Sequence, residues 1–198
     1  MKAVVVDYGA GNLYSIARAL EASGADVVLE SDPRRVLAGD VLVLPGVGAF
    51  TTASELLSTA RAEIAAALDT GHPCLAVCLG MQLLFERSEE GPGAGLGVIP
   101  GDVRRLTTNK VPHMGWNSLE GVREPLVTEA ALDTAYFANS FVCRPLSETT
   151  VLGWTMHEAQ RLPAVVRFAN TVGVQFHPEK SAQPGRRFIA GFLREVTA

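Results

Sequence analysis

The sequence lacks the marks of several protein classes. Three cysteines in 198 residues are an odd number and argue against a disulfide framework. Lysine and arginine form no block, and 17 basic against 21 acidic residues leave a net charge of −4. A nucleic-acid partner would call for a clustered cationic footprint, so none is expected. No apolar run approaches the roughly 18 residues a membrane-crossing helix needs. At the start of the chain Lys2 precedes only four apolar residues before Asp7, and no signal peptide is expected. Internal repeats, low-complexity tracts and dividing linkers are missing as well. What remains is one domain over residues 1–198, large enough to bury a core, with a cytoplasmic location expected.

What is present is an alternation of strand and helix patterns in the first half. Ala3–Val6, Asp26–Glu30 and Val41–Leu44 read as strands. Leu13–Ser23 reads as a helix with Asn12 as its N-cap, and helical pattern fills Ser54–Thr70. A short apolar run, His72–Val77, reads as a buried strand, and Leu79–Glu86 as the helix after it. Such alternation predicts an α/β fold, a mostly parallel central sheet between helical layers. The second half differs: Gly91–Gly101 is a Gly- and Pro-rich loop. Short strands are expected at Val103–Leu106, Ala135–Phe137, Val151–Trp154, Ala164–Phe168 and Thr171–Gln175, some of them antiparallel. Arg186–Val196 closes the chain as a helix.

Cys78 stands between the buried strand and its helix, with Ala76 and Gly80 two residues to either side. Small residues flanking a nucleophile on a tight strand-to-helix turn form an elbow that presents the side chain. The helix N-terminus then faces the sulfur, an arrangement that favours a thiolate. A cysteine nucleophile needs a base, and the base an orienting partner. Of four histidines, His177 lies just past a strand end, where open α/β sheets build their sites. Glu179 follows two residues on, across the restricting Pro178. The loop Pro45-Gly46-Val47-Gly48 also follows a strand, and its freed backbone together with the Leu79 N–H forms a candidate oxyanion hole.

Competing chemistries fail on steric or spacing grounds. Gly9-Ala10-Gly11 after a strand, with Glu30 ending the next, partly matches a dinucleotide fingerprint, but Tyr14 occupies the third glycine position. His72-Pro73-Cys74 has no second ligand pair, so no metal site is expected. Cys74 and Cys143 read as small buried hydrophobes. The run Val111-Pro112-His113-Met114-Gly115-Trp116-Asn117 reads as a loop that either caps a core or offers an exposed Met–Trp patch to a partner.

Cys78-Leu79-Gly80-Met81-Gln82 with His177-Pro178-Glu179 resembles the class I (triad) glutamine amidotransferases, whose fold is a three-layer, flavodoxin-like sandwich. Asp7–Asn12, Pro45–Gly48, Pro112–Asn117 and Gln175–Ser181 narrow the resemblance to glutaminase subunits of imidazole glycerol phosphate synthase, over nearly the whole chain. The resemblance implies a Cys78-His177-Glu179 triad, with an oxyanion held by the backbone at Leu79, Val47 and Gly48. It also implies that Gly46, Gly48, Gln82, Glu90, Ser140 and Phe141 hold glutamine. Met114, Trp116 and Lys180 would face a cyclase subunit with a (β/α)8 barrel, which takes the ammonia and switches the glycine loop on. No cofactor is implied. Ala76 replaces a frequent Gly, Asn139 a usual His, and Phe141 a common Tyr, so the side-chain roles of the last two are in question. Two other readings stay open: a triad glutaminase of another pathway, such as pyridoxal phosphate synthesis, and a silent binding domain on the same fold.

Overall fold

A computed structural model describes residues 1–197. The strands are β1 (Lys2–Val6), β2 (Asp26–Glu30), β3 (Val41–Leu44), β4 (Cys74–Val77), β5 (Arg87–Ser88), β6 (Gly101–Arg105), β7 (His113–Ser118), β8 (Thr134–Asn139), β9 (Phe141–Pro145), β10 (Val151–His157), β11 (Gln160–Phe168) and β12 (Thr171–Val174). The helices are α1 (Tyr14–Ala22), α2 (Phe50–Leu57), α3 (Arg61–Asp69), α4 (Leu79–Leu83), α5 (Pro125–Glu129) and α6 (Ala182–Thr197). Seven strands form the central sheet in the order β10-β11-β12-β4-β3-β1-β2. The pairs β1–β2, β1–β3, β3–β4 and β4–β12 are parallel, whereas β10–β11 and β11–β12 are antiparallel. The predicted mostly parallel sheet is therefore what forms.

Alternation along the strands splits the core between two faces. Ala3, Val5, Val41, Val43, Leu75 and Val77 pack with residues of α1, α5 and α6. Val4, Val6, Leu42, Leu44, Cys74 and Ala76 pack with α2, α3 and α4. Three layers result, and the strands that carry the site are buried on both faces. Among the described residues no helix is long and apolar enough to cross a membrane.

Several elements differ from expectation. The helix read over Ser54–Thr70 is two, broken at Ser58–Ala60, so that Leu57 and Ala60 both turn into the core. The α1 N-cap position is Leu13. Asn12 sits one residue earlier, and its Oδ1 accepts the Tyr14 N–H at 2.8 Å. The run read as a loop around Trp116 is strand β7, paired antiparallel with β8. Helix α4 is only five residues long and α6 begins four residues early, at Ala182. Away from the site, buried Glu124 caps α5 through the Leu126 N–H and binds Arg167 Nε at 2.8 Å.

Candidate active site

Cys78 leaves β4 with φ +48° and ψ −102°, outside the regions an L-residue prefers. Two neighbours make that turn possible. The Cys78 N–H donates to the Val174 carbonyl at 2.7 Å, tying the elbow to β12. Gly80 lies so close to β3 that any Cβ there would run into the Leu44 carbonyl. The turn therefore pushes the sulfur out beyond the carboxyl ends of β3, β4 and β12, and Leu79 offers one of α4's free first N–H groups there.

His177 arrives from the loop after β12, held by three backbone ties. Its N–H donates to the Tyr136 carbonyl at 2.8 Å, its carbonyl accepts from the Ser181 hydroxyl at 2.7 Å, and Ser181 Oγ in turn accepts the Tyr136 N–H at 3.0 Å. Ser181, part of the motif read from sequence, is thus the peg that fixes this loop to β8. His177 Nδ1 stands 2.8 Å from Glu179 Oε1, and Cys78 lies beside the ring, both being within reach of one Cβ built on Gly46. All three side chains are buried or nearly so. Burial opposes protonation of His177, but the hydrogen bonds and charges of Cys78 and Glu179 outweigh it and hold the imidazolium well above its ordinary range. The pair is arranged as a base beside a sulfur.

The glycine loop lies over this pair. A Cβ on Gly46 would come within 2.8 Å of both Cys78 Cβ and His177 Cε1. Gly48 has φ +94°, and Gly11, at φ +82°, packs so tightly on Val47 that a Cβ would sit 2.5 Å from the valine Cβ. The Asp7–Asn12 run, rejected above as a dinucleotide loop, is therefore the support of the glycine loop. Asp7 Oδ1 holds its turn by accepting the Gly9 N–H at 2.8 Å.

A cavity of about 210 Å³ opens beside the sulfur, lined by Gly46, Gly48, Cys78, Leu79, Gln82, Glu90, Ser140 and Phe141, together with Ala138 and Asn139. Every residue expected to hold glutamine lies there. Glu90 also caps α2, its Oε2 accepting the Phe50 N–H at 3.0 Å. Asn139 is buried, and its Nδ2 donates to the Phe141 carbonyl at 3.0 Å while Oδ1 has no partner. Met114 and Trp116 lie 65 % and 57 % exposed on the outer face of β7. Lys180 is exposed on the turn that packs beside β8. Tyr136, not singled out in the sequence, joins this patch edge-on to Trp116 at 6.3 Å; cross-strand pairing with Trp116 would have identified it had β7 been read as a strand.

A five-residue α4 has little macrodipole to offer the sulfur. Instead Gln175, which the sequence reading does not single out, places its Nε2 3.4 Å from Cys78 Sγ. Its signal was its place in the His177 loop, two residues before the imidazole. Cys74 and Cys143 are free and buried, as expected, and burial pushes both thiols up. No cluster of histidine, cysteine and carboxylate side chains suited to a metal occurs among the described residues.

Residues 4–196 match the glutamine amidotransferase class-I family. The chain belongs to that family. Among its curated relatives is the imidazole glycerol phosphate synthase subunit HisH of Synechococcus elongatus, 41% identical over 98% of this chain and 93% of that one. HisH of Methanothermobacter thermautotrophicus is 42% identical over 98% of both chains, and HisH of Halobacterium salinarum 44% over 96% and 91%. The solved structure of PurLQS from Thermotoga maritima superposes with a TM-score of 0.76 at 20% identity over 98% of both chains. A further crystal structure of a glutamine amidotransferase gives 0.74 at 22% over 98% and 99%. These two show the class I amidotransferase fold, the three-layer architecture expected.

Proposed function

We propose that this chain is the glutaminase subunit of imidazole glycerol phosphate synthase, working as one domain over residues 1–198 in the cytoplasm. It hydrolyses glutamine to glutamate and ammonia. The ammonia passes to a cyclase subunit with a (β/α)8 barrel, which forms imidazole glycerol phosphate and aminoimidazole carboxamide ribotide in histidine biosynthesis. The observation that carries this is the buried Cys78–His177–Glu179 line beside a cavity, in a chain related to HisH over nearly its full length.

Each residue takes a role on this reading. The Cys78 thiolate attacks the side-chain amide carbon of glutamine, and backbone N–H groups of Leu79 and the Val47–Gly48 loop hold the oxyanion. His177 gives its proton to the departing ammonia, leaving a glutamyl thioester, and then takes one from the water that cleaves it. Glu179 keeps His177 oriented through Nδ1. In Gln82 both amide hydrogens are committed inside the protein, to the Phe141 carbonyl and Gln175 Oε1. Its Oε1 is what it offers to substrate, beside Glu90, Gly46 and the Ser140–Phe141 backbone. Met114, Trp116 and Lys180 dock the cyclase.

With the cyclase present, Cys78→Ala is expected to abolish glutamine-dependent synthesis while free ammonia still supports it. Equal loss with both nitrogen sources would sink the proposal.

A further inference from the structure

The sulfur of Cys78 is served by a directed chain of side-chain amides whose polarity is readable. The Phe141 carbonyl can only accept, so the end of Gln82 that meets it, at 3.4 Å, is Nε2. The same Nε2 lies 3.4 Å from the Gln175 amide, which therefore presents Oε1 to it. Gln175 must then turn its own Nε2 toward Cys78 Sγ, at 3.4 Å. A fixed backbone carbonyl thus sets both amide orientations, and the last donor in the line points at the nucleophile. Gln82 and Gln175 are both buried, so water does not compete for these groups. The Gln175 backbone is pinned as well, its N–H donating to the Ala164 carbonyl at 2.9 Å.

From this we infer that Gln175 is a positioning residue for the nucleophile: its amide N–H holds the Cys78 sulfur in place and stabilises its negative charge, with Gln82 and the Phe141 carbonyl fixing its direction. The inference rests on the glutaminase reading only for its catalytic consequence. A hydrogen bond to an ionised acceptor is stronger than one to a neutral acceptor, so the amide favours the thiolate over the thiol. The titratable groups that face the sulfur are His177, with Glu179 behind it, and the buried Cys143 thiol of β9. Gln175 adds a neutral donor, its Nε2 3.4 Å from the sulfur. Because Phe141 also lines the cavity, the relay joins the wall of the glutamine site to the thiol.

The test is the pH profile of iodoacetamide alkylation at Cys78, followed by peptide mass spectrometry, for the native chain, Gln175→Met and Gln82→Met. Methionine keeps the volume and removes the donor. For Gln175→Met the midpoint is expected to rise by about one pH unit. Turnover of glutamine is expected to fall about tenfold with KM changed less than about twofold. Gln82→Met leaves Gln175 in place without its orienting partner and is expected to move the midpoint the same way by less, so the inference is testable even if Gln175→Met fails to fold. Midpoints within about 0.2 unit of native for every folded variant would overturn it. Alkylation needs no substrate: a native chain that hydrolyses no glutamine, with the shift intact, would remove the proposed function and leave this inference standing.

Discussion

Cys78 occupies a backbone conformation that costs on the order of 1–3 kcal/mol, and its neighbours show how the fold sustains it. The Val174 carbonyl holds its N–H, Gly80 lets the following turn press against Leu44, and Gly46 lets the opposing loop lie across the Cys78–His177 pair. Gly46 cannot change freely, because an added Cβ meets carbon atoms of both Cys78 and His177 at 2.8 Å. Relief must displace one of two held groups: the elbow holds Cys78, and Tyr136 and Ser181 hold His177. Gly46→Ala is therefore expected to shift the imidazole or the sulfur by several tenths of an ångström and lower glutamine turnover about a hundredfold. The fold should survive, since the Gly46 loop contributes little to the core, and circular dichroism beside a glutaminase assay checks both halves.

At the scale of elements, the candidate site was more legible than the framework that aims it. Cys78, His177 and Glu179 could be read because a nucleophile elbow and a strand-end histidine each leave a local sequence mark. Strand β7 could not, because Pro112, Gly115 and Asn117 are turn formers by propensity, and only pairing with β8 overrides them. The break between α2 and α3 was hidden for the converse reason, since Ser58, Thr59 and Ala60 do not interrupt a helical pattern. Once β7 is a strand its alternation is plain: Met114 and Trp116 face outward, whereas His113 turns inward between Phe137 and His157, with ring centroids 4.5 and 4.3 Å away. Burial there, helped by the nearby His157, drops the His113 pKa to about 4. An unfolded histidine titrates near 6.5. Between about 6.5 and 4 the unfolded chain thus takes up a proton that the folded chain refuses, and stability falls as the pH falls. His72, also lowered by burial, acts in the same direction. His113→Phe keeps the stacking and removes the proton site. Its melting temperature should vary less across that window, by up to one proton's share of about 1.4 kcal/mol per pH unit, in calorimetric scans. An unchanged acid slope would refute this account of β7.

For the whole molecule, the consequence of the topology is that the outer patch and the active site share a residue. Tyr136 stacks edge-on against Trp116 on the exterior of the two-stranded β7–β8 sheet, while its carbonyl holds the His177 N–H and its own N–H is held by Ser181. Three residues along the same strand, Asn139 enters the wall of the cavity. A protein that docks on Met114, Trp116 and Tyr136 thus presses on the strand that positions the imidazole, without needing to reach the sulfur. Trp116 is the natural anchor of such a patch, since a large aromatic that is 57 % exposed contributes little to folding and much to an interface. Trp116→Ala should leave the melting temperature of the free chain within about 2 °C of native. It should weaken binding of the cyclase by about 2 kcal/mol, roughly thirtyfold in Kd, when measured by calorimetric titration. If the patch also transmits docking, Tyr136→Phe, which keeps the ring and every backbone tie, should retain stimulation of glutaminase activity by saturating cyclase, whereas Trp116→Ala should reach a lower plateau even at saturation. Equal plateaus for all three proteins would confine the patch to affinity and break the link through Tyr136.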